Sequence, residues 1–270
     1  MNVVWEEPRR VEVIEDCDVC VIGGSTTGVF AAIAAARLGA RVALVENGGY
    51  FGGTATASLV CIWHSHLDTR FEREIIGGLT METLGRLLAR GGASQQQPND
   101  SLHYILQPYE LVLELDQMVT EANIRPFLHT RFVAPVVEEG RVTAAIIEDK
   151  TGRRAIAARV FVDASGDGDL VHRAGFRTYK MEGLQPPTTC AVVQGLAGIR
   201  EQVPDFRLQC VFDPQYPEHL PPGLLWAAPL AGTDMTMIAG TRVHQADCSD
   251  ADQLTRAELE GRRQVASMLA

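Results

Sequence analysis

The chain has 270 residues, 46% of them hydrophobic, which suits one large or two intermediate domains with a buried core and argues against disorder. With 34 Asp and Glu against 24 Lys and Arg it is acidic, and no basic run interleaves with aromatic residues, so nucleic acid is not an expected partner. The opening segment Met1–Arg10 is charged where a secretory leader needs an apolar run, and the most apolar segment, Val29–Ala36, is far too short to span a bilayer. These features predict a soluble, cytoplasmic protein without membrane contact.

In chain order, Cys17–Ile22 is a short apolar run, followed by the glycine-rich segment Gly23–Gly28 and by an alanine-rich stretch, Val29–Leu38, free of internal Gly and Pro. The pattern predicts strand, glycine turn and helix. Gly39 stands where a left-handed cap closes the helix, and Arg41–Glu46 is a second apolar run ending in an acid, which completes a β-α-β unit. Cys17 and Cys20 form a C-x-x-C pair, but both fall in the first strand. Three residues of extended chain span about 10 Å, more than the ~7 Å between the Cα atoms of a disulfide. No second C-x-x-C or His pair follows at zinc-ligand spacing, so no metal site is expected and the six cysteines read as reduced.

After a loop rich in glycine, Thr80–Arg90 has helical spacing, Gly91–Ser101 reads as a polar surface loop, and Pro108–Asn123 reads as a longer helix with Pro108 in its first turn. The period then changes. Phe127–Val137, Arg141–Glu148 and Arg153–Arg159 are β-type runs separated by the turns Glu139-Gly140 and Lys150-Thr151-Gly152, a meander leading into Val160–Asp163, a strand that returns to the parallel sheet. Beyond Phe176 the pattern loosens into short strand-like runs with many prolines. The final stretch, Ser249–Ala270, reads as a helix with Thr255 and Glu258 spaced like a capping box.

The segment Gly23-Gly24-Ser25-Thr26-Thr27-Gly28 fits the dinucleotide fingerprint G-x-G-x-x-G, with Ser25 in place of the second glycine. The first glycine permits the tight turn, the second allows backbone to approach a pyrophosphate, and the third lets helix and strand pack closely. A lone glycine fingerprint is weak, and a plain glycine turn is its bland alternative. Here it follows a strand and opens a helix, and Glu46 ends the next strand about twenty residues on, where a carboxylate accepts from a ribose 2′-OH and repels a 2′-phosphate.

These residues, with Leu44-Val45-Glu46-Asn47-Gly48-Gly49-Tyr50-Phe51-Gly52-Gly53-Thr54-Ala55-Thr56-Ala57, the helix after Gln107, the meander, and the segment from Val160 to Asp169, resemble the FAD-dependent oxidoreductases of the glutathione-reductase-like superfamily, in the branch related to fumarate reductase flavoproteins. The resemblance covers about Asp16 to Gly195. It implies FAD as the cofactor, with pyrophosphate on Gly23, Gly24, Ser25, Thr26, Thr27 and Gly28, adenosine ribose on Glu46, and the flavin side near Gly52, Gly53, Thr54 and Thr56. Val133 answers to a position that meets adenine through its backbone, and Ala164, Gly166 and Asp167 to a second nucleotide-contacting strand end. Ser25 departs from the pattern, as does Asn47, which stands where a basic residue commonly follows the acid.

The disulfide reductases of this superfamily carry a cysteine pair after the glycine loop and a second glycine fingerprint. Cys61 has no near partner in sequence, and no second fingerprint occurs. His64 and His66 follow the flavin-side loop, where a proton donor or a covalent flavin link would be useful, although a surface or hydrogen-bonded structural histidine is the commoner case. His103 and His244 carry less signal, and Trp63 and Tyr50 could equally line a pocket or fill a core.

The expected fold class is α/β: a Rossmann-type parallel sheet carrying an antiparallel β-meander, plus a second mixed α+β substrate domain. The domains are 1–175 for FAD and 176–270 for the start of a substrate or cap domain. The expected function is hydride transfer between a small organic substrate and flavin. The alternatives are an NAD-dependent dehydrogenase and a nucleotide-binding fragment that has lost turnover. Relatives of this kind are longer, so a missing C-terminal segment or a homo-oligomeric partner is expected to complete the pocket.

Overall fold

The apolar run around Cys17 becomes β1 (Val13–Ile22), and the alanine-rich stretch becomes α1 (Thr26–Arg37), in a computed structural model that describes residues 3–96, 102–196, 198, 210, 211, 221 and 223–269. The next apolar run is β2 (Val42–Val45). Their connection is tight: Gly39, at φ +91°, ends the helix, and the Arg41 carbonyl accepts from the Asp18 and Val19 N–H groups.

The chain divides into two compact units, Met1–Phe51 with Asp116–Thr178, and Gly52–Leu115 with Tyr179–Ala270. The first is built on one six-stranded sheet. To β1 and β2 it adds β6 (Arg125–Phe127), β7 (Arg131–Glu138), β8 (Arg141–Asp149) and β9 (Gly152–Asp163), in the order β6-β2-β1-β9-β8-β7. The four strands from β6 to β9 in that order are parallel, and β8 and β7 extend the sheet antiparallel. In β1 the side chains of Cys20 and Ile22 enter a cluster with Val45, Phe127, Ile147 and Ile156, while Val21, equally buried, turns to the opposite face. The parallel sheet with its antiparallel meander is the predicted α/β class.

β1 begins at Val13, four residues before the expected run, and two strand assignments in the meander differ from the expectation. Phe127–Val137 is not one run: β6 ends at Phe127 in parallel register with Val45, the chain turns through His129 at φ +49°, and β7 starts at Arg131. The turn is held by loop backbone, with the Glu46 N–H donating to Phe127, and Thr130 and His129 donating to Glu46 and Gly48. Conversely, the last meander run and the returning strand are a single strand, β9. It pairs antiparallel with β8 through Gly152–Ala157 and parallel with β1 up to Asp163, so both roles fall on one extended segment. A short helix, α4 (Asp169–Arg173), follows it.

The second unit holds a three-stranded antiparallel sheet of β3 (Ile62–Trp63), β5 (His103–Leu106) and β4 (Ala93–Gln96), and a four-stranded one of β10 (Ala191–Gln194), β13 (Met235–Ala239), β12 (Leu224–Pro229) and β11 (Cys210–Val211). The helices α2 (Leu79–Ala89) and α5 (Ala251–Leu269) lie in this unit, and α3 (Pro108–Glu121) starts in it. The segment predicted as a polar loop, Gly91–Ser101, therefore contains a strand, and its residues 97–101 lie outside the described ones. Ser94, Gln95 and Gln96 show no apolar alternation because β4 is an edge strand held by backbone pairing to β5. The predicted capping box is also displaced. Thr255 lies inside α5, where its hydroxyl donates to the Ala251 carbonyl, and the helix is capped by Asp250, whose carboxylate accepts from the Gln253 N–H at 2.9 Å.

Among the described residues no helix is long and apolar enough to cross a membrane. Cys17 and Cys20 are free and buried in β1, and burial pushes the Cys17 thiol up to about 11 and raises Cys20 as well.

Candidate functional site

The carboxyl ends of β1, β2 and β9 meet in the first unit, and the glycine segment crosses between them. Gly23 sits at φ +104°, and a Cβ there would fall 2.2 Å from the Ala164 carbonyl oxygen. A Cβ on Gly28 would fall 1.8 Å from the Gly23 carbonyl oxygen and 3.2 Å from the Ala164 side chain. The turn thus presses both on itself and on the end of β9, which is the close approach the first and third fingerprint glycines provide. Ser25 adds a role that the spacing did not announce: it is the N-cap of α1, with its hydroxyl accepting from the Gly28 N–H at 3.4 Å.

Glu46, just past β2, turns its carboxylate back to this loop. One oxygen accepts from the Gly24 N–H at 2.7 Å and the other from the Gly48 N–H at 2.6 Å. Each carboxylate oxygen has two acceptor sites, so both retain capacity for a diol.

A cleft of about 240 Å³ opens beside these groups, lined by Gly23, Glu46 and Asn47, by Thr130 of the β6–β7 turn and Arg131 and Phe132 at the start of β7, and by Ser165, Asp169 and Arg173. Whole small-molecule pockets run to about 300–1,000 Å³, so this volume suits one end of a dinucleotide. The strand end after β9 is organised by Asp163. One carboxylate oxygen accepts from the Ser165 N–H at 3.1 Å and its hydroxyl at 2.6 Å, and the other from the Val171 N–H at 2.9 Å. Ser165 in turn accepts from the Asp169 N–H at 2.9 Å.

The structure therefore gathers Gly23, Gly24, Ser25, Gly28, Glu46, Asn47 and Ala164 around one loop and cleft, with Thr26 and Thr27 in the first turn of α1 and Gly166 and Asp167 in the turn after β9. Val133 is next to the lining residue Phe132, at a register shift in β7 that leaves it without a counterpart in β8. The residues that the sequence reading missed are Thr130, Arg131, Phe132, Asp169 and Arg173. Asp169 lay in a quoted motif, whereas no spacing ties Thr130–Phe132 or Arg173 to the glycine loop.

Gly52, Gly53, Thr54 and Thr56 belong to the second unit. Gly52, at φ +111°, leads into a single 3-10 turn, Gly53–Ala55, where the buried Thr56 hydroxyl donates to the Gly53 carbonyl. His64 and His66 lie in the same unit. His64 is exposed, with its ring 6.1 Å from that of His103, while His66 is buried, 5.0 Å from the Tyr104 ring, and its Nδ1 is 3.2 Å from Met81 Sδ. Burial lowers the His66 pKa, opposed by the Glu74 charge.

In structural comparison the chain resembles a p-nitrophenol 4-monooxygenase from Pseudomonas putida DLL-E4, with a TM-score of 0.60 and 12% identity over 92% of this chain and 64% of that one. It also resembles a geranylgeranyl bacteriochlorophyll reductase-like protein from Thermoplasma acidophilum, at 0.54 and 15% over 90% and 60%, and an aromatic hydroxylase from angucycline biosynthesis, at 0.56 and 17% over 91% and 48%. At these identities the likeness shows the fold, and the chain spans less than two thirds of each of these proteins. No curated protein matches it by sequence. The model of the FAD dependent oxidoreductase family matches residues 18–270, a span that includes the glycine loop, Glu46 and the cleft. The chain belongs to the FAD-dependent oxidoreductases.

Proposed function

We propose that this chain holds the ADP half of FAD on the glycine loop and in the cleft beside Glu46, as part of an oxidoreductase acting on a small organic substrate. The observation that carries the reading is the Gly23 turn. It has no room for a side chain, it opens a helix N-terminus where the dipole favours phosphate, and it lies beside a carboxylate with acceptor sites left for a ribose. In this reading Gly23, Gly24, Ser25, Thr26, Thr27 and Gly28 take the pyrophosphate, Glu46 and Asn47 the ribose side, Val133 the adenine, and Ala164, Gly166 and Asp167 the second nucleotide-contacting strand end. Gly52, Gly53, Thr54 and Thr56 serve the flavin side.

When bound, the flavin supplies the redox step, a hydride exchange with the substrate. The protein's part is to bind and orient. Glu46 repels a 2′-phosphate, and the α1 N-terminus neutralises pyrophosphate charge. No catalytic residue is assigned, and His64 and His66 are the candidates for proton transfer. The finer placement, in the fumarate reductase flavoprotein-related branch, rests on the ordered combination of the glycine loop, the segment from Leu44 to Ala57, the helix after Gln107, the meander and the motif from Val160 to Asp169. The functional division at 1–175 and 176–270, a cytoplasmic location, and completion by a further segment or a second copy are part of the same proposal.

The test is an absorbance spectrum of the purified protein before and after denaturation, followed by titration of the apoprotein with FAD. Glu46→Ala is expected to weaken binding by about 1.5–3 kcal/mol, the worth of a charge-assisted hydrogen bond. Unchanged affinity would remove Glu46 from the site. Ser25→Val should abolish binding by crowding the pyrophosphate, whereas Ser25→Gly should keep it, with only a few tenths of a kcal/mol lost from the helix cap. A chain that binds FAD but never bleaches with a substrate would be a nucleotide-binding module without turnover.

A further inference from the structure

We infer that Arg173 is a positioning residue for the adenine end of the cofactor, fixing the backbone of the cleft wall at Phe132 and Val133 and so setting how strictly the base is read. The inference rests on the FAD reading of the cleft. In a regular strand successive carbonyls point to opposite sides, so one guanidinium does not ordinarily take two in a row. Arg173 does: its Nη1 lies 2.9 Å from the Val133 carbonyl oxygen and 3.4 Å from that of Phe132. It can because β7 shifts register against β8 between Phe132 and Ala134, as a bulge does, leaving Val133 out of the ladder.

A wall segment outside the ladder would be costly to order around a base, since each residue held in one conformation loses on the order of 1–2 kcal/mol of backbone entropy. The guanidinium fork settles that order in advance. It also lies over the Phe132 ring at 5.7 Å, and its Nη2 is 3.3 Å from the Asp169 carboxylate. Asp169 is bonded through its N–H to Ser165, which follows Ala164, the residue against which Gly23 is pressed. One run of contacts thus joins the phosphate loop to the base wall, and Arg173 is its last member. A lysine could keep the charge but not the planar fork that reaches two carbonyls and a carboxylate together.

The experiment compares wild type, Arg173→Met and Arg173→Lys by titrating the apoprotein with FAD and with its analogue carrying hypoxanthine in place of adenine. Wild type is expected to prefer FAD. Arg173→Met should bind FAD about tenfold more weakly and lose most of the preference, with Arg173→Lys between the two. An unchanged FAD affinity in Arg173→Met overturns the inference. So does an equal loss for both dinucleotides with the preference intact, because that is what general loosening of the fold would give. Should Arg173→Met fail to fold by circular dichroism, the preference in Arg173→Lys decides: a wild-type value overturns the inference and a reduced one supports it. Absence of FAD binding in wild type is a separate failure, that of the cleft reading itself.

Discussion

At the glycine loop of the first unit the closest contacts are between backbone segments, whereas in the second unit side chains reach across to bind neighbouring segments. Around the cleft, Gly23 and Gly28 leave no room for a Cβ, and the turns near Glu46 are closed by peptide groups. In the second unit the crowded glycines meet side chains instead, Gly92 that of Glu110 and Gly261 that of Thr189, Gly85 on α2 stands in open space, and side-chain clamps cross-link the segments. The Thr241 hydroxyl accepts from the Thr189 N–H and donates to its carbonyl, Gln264 does the same for Arg242, and the buried Glu114 carboxylate takes both Arg86 and Arg90. A cradle for a fixed ligand needs backbone at fixed height, which only close packing provides. Sheets of short strands need cross-links that do not depend on long ladders.

The sharpest way to break this contrast is to add one methyl group to each unit. Gly28→Ala is expected to cost at least about 3 kcal/mol, because its Cβ meets carbonyl oxygen that cannot move without opening the turn. Urea denaturation read by circular dichroism checks it, and a stable variant would show that the loop is looser than described. Next in size is Glu114→Ala, which strips a carboxylate only 2% exposed from two arginines and should cost about 2–3 kcal/mol, since each guanidinium loses one charge-assisted bond while keeping a second carboxylate, Glu82 for Arg86 and Glu110 for Arg90. If the loss were no greater than for an exposed pair such as Arg262–Glu258, the clamp would contribute little.

Gln264→Ala should cost about 2 kcal/mol, since it removes the buried amide that bonds both the N–H and the carbonyl of the half-buried Arg242. Gly85→Ala is expected to move the other way. The position is exposed, helical and open, so alanine should stabilise by about 0.5–1 kcal/mol and raise the melting temperature.

The smallest effect concerns pH. His66 has its pKa lowered from 6.5 by burial, so the folded protein favours the neutral ring. Below pH 6.5 the unfolded chain takes up the proton first, and stability falls with acidification until the folded pKa is passed. Thermal melts from neutral to mildly acidic pH should therefore show a shallower loss in His66→Gln than in wild type. Identical slopes would mean that His66 is not protected from protonation.

Glu46, Gly23 and Gly28 were legible because the geometry that unites them is local: strand, turn, helix and strand are adjacent in the chain, and spacing alone puts the acid beside the loop. The predicted helices at Thr80–Arg90 and Pro108–Asn123 appear as α2 and α3 for the same reason, since helical periodicity is a short-range signal. β4 escaped notice because polar residues on an edge strand carry no alternation, and the spacing of Thr255 and Glu258 pointed to a cap five residues beyond Asp250, the residue that caps the helix.

By itself the sequence determined the β-α-β unit, the dinucleotide loop and the meander from patterns a few residues long, and the family through the resemblance that their ordered combination carries. Only the tertiary structure decided that β9 serves two sheet regions at once, that Phe127 and Arg131 belong to different strands, and that Thr130, Phe132, Asp169 and Arg173 share a cleft with Glu46. The reason is physical. A side chain that grips a carbonyl forty positions away, as Arg173 grips Val133, does so because the strand order has already brought them together. Nothing in the intervening sequence has to record it.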